Sequence, residues 1–109
     1  AEAELAVARA QLGREIDRIV AERAALATEI AWIEREVLPS AARAVTLVRD
    51  GFARGGTAFT FLEVNQAQQA VVDARSRRVE LLRRFHLRGA RLDRLTGRHA
   101  SLLSSAENR

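Results

Sequence analysis

The chain has 109 residues, a formal net charge of +4 and no cysteine. This length corresponds to one domain at most, and a chain without cysteine has neither a disulfide framework nor a thiolate metal site. All 18 basic residues are arginine: residues 1–54 hold 8 of them against 9 Asp and Glu, and residues 55–109 hold 10 against 5. The positive charge therefore belongs to the second half.

The first half carries a coiled-coil repeat. Apolar residues recur at steps of three and four, with an average near 3.5, which predicts a helix over about residues 3–54. Pro39 predicts a kink near Arg35–Leu38, and because the repeat continues through it, a kinked helix is favoured over a new helix starting at Pro39. The repeat positions are Leu5, Leu12, Ile16, Ile19, Leu26, Ile30, Ile33, Val37, Ala41, Ala44, Val48 and Phe52.

The second half carries a similar repeat. Thr60 and Glu63 have the spacing of a capping box, which predicts a helix that starts near residue 60. Gly97 is a stop signal, so we expect this helix to end near Thr96 and a tail to occupy residues 97–109. The repeat positions are Val64, Ala67, Val71, Ala74, Arg78, Leu81, Phe85, Arg88, Leu92 and Leu95.

The two repeats meet at a glycine break over residues 54–57. A short connection makes neighbouring helices antiparallel, so the fold class predicted is all-α, a long two-helix coiled-coil hairpin with its tip at about residues 55–59. Two helices enclose no core, which favours self-association or a larger parent assembly. A chain that begins within the repeat favours a segment of a longer protein.

The sequence offers little support for an enzyme or a metal site. His86 and His99 are too far apart for a helical ligand pair, no nucleophile–base set is visible, and no cofactor is expected. The second helix is instead rich in arginine between residues 75 and 94. These arginines spread around the helix, which favours salt-bridged faces over nucleic-acid binding. Trp32 is interpreted as packing against a neighbouring helix. The arginines concerned are residues 75, 77, 78, 83, 84, 88, 91 and 94.

Apolar side chains crowd the tip. Phe59, Phe61 and Leu62 fall within four residues at a place where a hairpin has little room to bury them. An exposed apolar cluster of this kind is typical of a docking site. The alternative is a hydrophobic plug folded back between the helices.

Several motifs, in this order and spacing, resemble the second repeat of TolC-type outer-membrane efflux proteins, and most closely the branch for heavy-metal (cobalt–zinc–cadmium or copper–silver) efflux. The similarity covers most of residues 10–97. The motifs are Glu36-Val37-Leu38-Pro39, Gly51-Phe52, Phe61-Leu62-Glu63-Val64, Ala67-Gln68, Asp73-Ala74-Arg75 and Arg94-Leu95-Thr96-Gly97.

This resemblance implies a periplasmic α-hairpin from a trimeric channel, part of an α-barrel tunnel in a Gram-negative bacterium. Its partners would be a periplasmic adaptor protein and, through it, an inner-membrane RND-type pump. No nucleic-acid partner is expected, and the membrane would be reached only through a part of the parent protein outside this chain. The resemblance implies a transport component and no enzymatic activity.

The resemblance also implies roles for the tip residues. Glu63 matches the first of two acidic residues that ring the tunnel entrance in relatives and attract cations; the capping box explains the same residue locally. The second acidic position is Gln66 here, and the gate tyrosine of relatives corresponds to Phe52, so neither a double acidic ring nor a gate hydroxyl is carried over. The adaptor-docking tip would comprise Arg54, Gly55, Gly56, Thr57, Phe59, Thr60, Phe61 and Leu62.

Two other functions stay open. An adaptor protein's own hairpin would show an arginine, a small or leucine position four residues on, and a later serine; Arg43 and Leu47 fit, but Arg54 replaces the serine. From another class, the chain would be a free-standing coiled-coil scaffold or a basic nucleic-acid binder.

Overall fold

The computed structural model describes residues 1–55 and 59–107 and consists of helices. Helix α1 spans Glu2–Trp32, a π-helical segment spans Ile33–Val37, α2 spans Leu38–Ala53 and α3 spans Phe61–Glu107. Within those two ranges there is no β-strand. The prediction of an all-α helical hairpin is confirmed.

The discontinuity predicted at Pro39 is a widened helical turn. The Leu38 N–H donates to the carbonyl of Ile33, five residues back, as in a π-helix. Pro39 follows directly, in the first turn of α2, so the π turn is what accommodates its missing N–H within a continuous helix. The backbone dihedrals of Trp32, Val37 and Leu38 are all helical, so the chain stays helical through this region.

The widened turn changes which residues of α2 face the partner helix. A π turn uses more residues than an α turn, which alters the phase of the helix locally, although the predicted positions Ala41 and Val48 are half-buried as expected. Val45 is half-buried whereas Ala44 is exposed, and the predicted repeat position at Ala44 is wrong by one residue. Phe52, also expected in the repeat, is 43% exposed. In α3 all ten predicted repeat positions are buried or half-buried.

The predicted end of the second helix is also wrong. We expected it near Thr96, with a tail from residue 97, but α3 continues through Gly97 to Glu107. A helical glycine costs only about 1 kcal/mol relative to alanine, so it weakens a helix without terminating it. Leu102, beyond this glycine, packs against the buried cluster of Leu12, Ile19 and Leu95, and this contact favours the extension.

The chain forms two compact units, and the first comprises residues 1–27 and 83–109. Its core is the cluster of Leu12, Ile19 and Leu95, with Ile16, Leu92 and Leu102 packed against it. Glu15 pairs with Arg91, and Glu22 pairs with Arg88 at 2.9 Å. Because the partner's number falls as the first number rises, α1 and α3 run antiparallel here.

The second unit comprises residues 28–82. Ion pairs again join its two long helical stretches: Glu29 to Arg77 at 3.0 Å, and Glu34 to Arg78 at 2.8 Å. The predicted salt-bridged arginine face is therefore confirmed in both units. The buried side chains of this unit are those of Ile30, Ile33, Val64, Ala74 and Leu81.

Many large apolar side chains remain exposed, since each helix covers only one side of the other. No described helix is long and apolar enough to cross a membrane. Trp32, expected to pack against a neighbouring helix, is 59% exposed in this chain. The other exposed large apolar residues are Val7, Val20, Leu47, Phe52, Phe61, Leu62, Val72, Val79, Leu87 and Leu103.

Candidate functional site

The hairpin tip begins where α2 ends. Gly55 has φ +71°, the left-handed conformation that glycine adopts without steric cost, and its N–H donates to the Phe52 carbonyl at 3.1 Å. The Arg54 N–H donates to the Asp50 carbonyl, also at 3.1 Å. These bonds satisfy two carbonyls in the last turn of α2. The sequence-based role of Gly55 as a helix terminator is confirmed, and Arg54 and Gly55 are both exposed.

The other side of the tip is fixed by the predicted capping box. The Thr60 N–H donates to Glu63 Oε2 at 2.7 Å, and the Glu63 N–H donates to Thr60 Oγ1 at 3.2 Å. The Val64 N–H donates to the Thr60 carbonyl at 3.2 Å, which starts the regular bonding of α3. A carboxylate at a helix N-terminus is also favoured by the helix dipole. Glu63 therefore has a structural role that needs no neighbouring subunit.

Phe59 packs back onto α2. Its ring lies over Gly51 so closely that a Cβ at residue 51 would clash with Cδ2 and lie 2.8 Å from Cε2. Phe59 is half-buried as a result. Phe59 therefore matches the alternative of a hydrophobic plug folded back on the helices. Phe61 and Leu62 match the interpretation as a docking site.

Phe61 and Leu62 are each 64% exposed, and the Phe61 ring lies against that of Phe52, with centroids 6.2 Å apart and planes tilted by 51°. Phe52, Phe61 and Leu62 together form what we call the tip patch. A group of exposed apolar side chains at one end of a helix is typical of a protein-binding surface. The tip patch can bind an apolar partner; it carries no group suited to bond chemistry.

The structure thus brings together Arg54, Gly55, Phe59, Thr60, Phe61, Leu62 and Glu63 of the predicted site, while Gly56 and Thr57 lie outside the described residues. Sequence reasoning missed two contributors. Gly51 provides the seat for Phe59, and Phe52 joins the tip patch instead of the helix interface. A lone glycine inside a helical repeat was the available signal for Gly51, because it often marks a close approach.

Metal binding has no visible basis in the part of the chain that the structure describes, where no group of three or more His, Asp or Glu side chains could hold an ion. His86 is exposed and lies edge-on to Phe85, with ring centroids 5.7 Å apart. His99 is half-buried on α3.

Comparisons with known proteins do not extend this description: no family model, no curated protein and no solved structure matches the chain.

Proposed function

We propose that this chain is the periplasmic helical hairpin of a TolC-type outer-membrane channel in a tripartite RND-type efflux system. In this proposal the hairpin forms part of the tunnel wall, and its tip docks the periplasmic adaptor protein. The parent protein is a trimer that moves cargo without making or breaking bonds.

The observation that carries the proposal is the tip patch. Phe61 and Leu62 are highly exposed at the start of α3, and both neighbouring helix ends are fixed by backbone and capping hydrogen bonds. Hydrogen-bonded helix ends lower the conformational entropy that Phe61 and Leu62 lose on binding, which favours docking. The motif order from Glu36 to Gly97 supports the assignment to an efflux channel in particular.

The exposed apolar surface along the helices is consistent with a hairpin that packs beside others. Val72 and Val79, seven residues apart on one side of α3, are 51% and 63% exposed. A neighbouring hairpin in a tunnel wall would cover such positions.

A cysteine cross-link tests the docking claim. This segment contains no cysteine, so Leu62→Cys in the full-length parent, on a background free of other cysteines, places one photo-activatable maleimide at the tip. We expect a covalent product with the adaptor encoded beside the parent protein. Ser76→Cys is the matched control, since Ser76 is exposed and polar but lies about four turns along α3. Equal adaptor labelling from both positions, or none from Leu62, would contradict tip docking.

Leu47→Cys separates this proposal from the adaptor-hairpin alternative. Leu47 is 64% exposed on α2, four residues after the exposed Arg43. If the chain were an adaptor's own hairpin, position 47 would cross-link to an outer-membrane channel protein. Under our proposal it links only to other copies of the parent.

A further inference from the structure

We infer that one face of the first unit binds the surface of an anionic phospholipid bilayer. This proposal does not rest on the channel assignment, because it concerns a different part of the chain and is measured on the 109-residue protein itself. The surface consists of Val7, Arg14 and Arg18 on α1 and Leu87, Arg94 and Arg98 on α3, and we call it the basic face.

The charge of the protein is concentrated in this unit. Residues 1–27 and 83–109 contain 11 of the 18 arginines and 7 of the 14 acidic residues, whereas residues 28–82 contain seven of each. The net charge of +4 therefore lies entirely in the first unit. A local excess of one sign is a physical argument about partners, since it attracts a surface of the opposite sign.

The arginines of the basic face lie on the same flank of the helix pair. The Glu15–Arg91 ion pair marks this flank. Arg18 follows Glu15 by three residues, and Arg94 follows Arg91 by three, which places each next to the pair on its helix surface. Arg98 lines the same groove as Gln11 and Glu15.

The two helices repeat one spacing. Val7, Arg14 and Arg18 are separated by seven and four residues, and so are Leu87, Arg94 and Arg98. Spacings of four and seven keep each set of three on one side of its helix. Since α1 and α3 are antiparallel here, the apolar residues fall at opposite ends of the basic face and the four arginines lie between them.

These arginines are available to a partner. Arg14, Arg18, Arg94 and Arg98 are exposed, and within residues 1–55 and 59–107 none of them forms an ion pair. Glu15 and Glu22 on this flank are held by Arg91 and Arg88. Glu4, seven residues before Gln11 on the same flank, lies 3.6 Å from the N-terminal ammonium group. Asp17, three residues after Arg14, lies towards the edge of the face. The basic face thus has an uncompensated positive charge.

The apolar residues favour a bilayer over a nucleic acid. Val7 is 55% exposed and Leu87 is 53% exposed. Beside phosphates of a duplex such side chains contribute nothing, and the basic face contains no aromatic residue on which bases could stack. At an anionic bilayer the arginines lie among the headgroups while valine and leucine enter the acyl boundary. Phosphatidylglycerol supplies this chemistry.

Vesicle co-sedimentation tests the proposal. The chain is expected to bind vesicles of equimolar phosphatidylglycerol and phosphatidylcholine at low salt and to dissociate from them as the salt concentration rises. It is not expected to bind vesicles of pure phosphatidylcholine. Replacing Arg14, Arg18, Arg94 and Arg98 together with glutamine is expected to lower the partition coefficient roughly 1,000-fold, at about fivefold to sixfold for each arginine.

The matched control removes the same charge from the second unit. Arg35, Arg43, Arg49 and Arg75 are all exposed, and replacing these four with glutamine is expected to reduce binding less than about tenfold, by the loss of long-range attraction alone. Helicity measured by circular dichroism verifies that both variants fold. Should the two variants lose binding equally, or the unchanged chain fail to bind, the basic face is not a lipid site.

Duplex DNA at the same ionic strength is the competing probe. Val7→Gln with Leu87→Gln is expected to weaken vesicle binding several-fold and to leave any DNA binding unchanged, because only a bilayer has an apolar interior. Tighter binding to DNA than to vesicles, lost in the Arg14/Arg18/Arg94/Arg98 variant, would reassign the face to nucleic acid and overturn the lipid proposal.

Discussion

Gly51 carries no side chain, and this is what allows the Phe59 ring to pack on α2. Its φ does not require glycine, so the constraint is space alone. Glycine has a weaker helix propensity than alanine. At residue 51, however, it leaves room for Phe59, which precedes α3, to pack against α2. A tip held in this way presents Phe61 and Leu62 in one arrangement.

Gly51→Ala is expected to lower the free energy of unfolding by about 1–2 kcal/mol, because overpacking against Phe59 outweighs the gain in helix propensity. Gly97→Ala is the matched control: Gly97 is helical and has no atom within 4 Å of an added Cβ, so alanine should stabilise by about 0.5–1 kcal/mol. Urea unfolding followed by circular dichroism measures both. A stabilising Gly51→Ala would show that Phe59 is not seated there.

Glu63 has two assigned roles that one substitution separates. Glu63→Gln keeps an oxygen that can accept from the Thr60 N–H, so the cap persists and the stability loss stays near 0.5 kcal/mol, the helix-dipole contribution. If the parent protein is the trimeric channel proposed above, the same change is expected to lower cation conductance in planar bilayers, because three carboxylates are neutralised. An unaltered current would leave Glu63 as a helix cap only.

At the scale of single residues, the sequence predicted the features that depend on near neighbours in the chain. The capping box of Thr60 and Glu63 and the left-handed Gly55 depend on residues within three or four positions, which a sequence displays directly. The seat of Phe59 on Gly51 was not predicted because it joins two helices through the connection between them. The contact between Phe52 and Phe61 was not predicted for the same reason.

Among the elements, the π-helical segment before α2 has the clearest consequence. The heptad repeat alone indicated a discontinuity at Pro39 and correctly placed Ala41 on the covered side, but it named Ala44 where Val45 is half-buried. Periodicity arguments assume a constant number of residues per turn, and Ile33–Val37 departs from that number. The end of α3 was mispredicted for another reason: Leu102 finds a tertiary contact that outweighs a local glycine signal.

Pro39→Ala tests how the π segment accommodates the proline. Since the π turn directly before Pro39 already replaces the regular bonding to the carbonyl four residues back, the missing N–H costs little there, and we expect stabilisation below about 1 kcal/mol. Thermal unfolding of this variant beside Ser40→Ala, an exposed neighbour, measures the effect. A gain approaching 3 kcal/mol would mean instead that the proline strains a helix interior.

At the scale of the molecule, the dominant fact is how much apolar surface two helices leave uncovered. The sequence predicted this correctly, since a hairpin has no enclosed centre. It could not indicate which faces stay open, because that depends on the phase of each helix. The structure assigns Val72 and Val79 to an open side of α3, and Arg14 and Arg18 to an open side of α1.

The isolated chain is therefore expected to self-associate. Sedimentation equilibrium should give a mass above the 12.1 kDa of one chain, and the unfolding temperature should rise with protein concentration. Val79→Glu is expected to weaken association, whereas Ser76→Glu adds the same charge at an exposed position without removing an apolar side chain. A single 12.1 kDa species throughout the micromolar range would refute this expectation.

In all four ion pairs described above, the acidic residue lies before Pro39 and the arginine lies on α3. The acidic residues are Glu15, Glu22, Glu29 and Glu34. Two first helices side by side would oppose like charges, and so would two copies of α3. At these four positions the first helical stretch therefore pairs favourably with α3 and unfavourably with a second copy of itself. This preference is the same whether the two helices belong to one molecule or to two. Helices exchanged between copies would therefore re-form every one of these pairs.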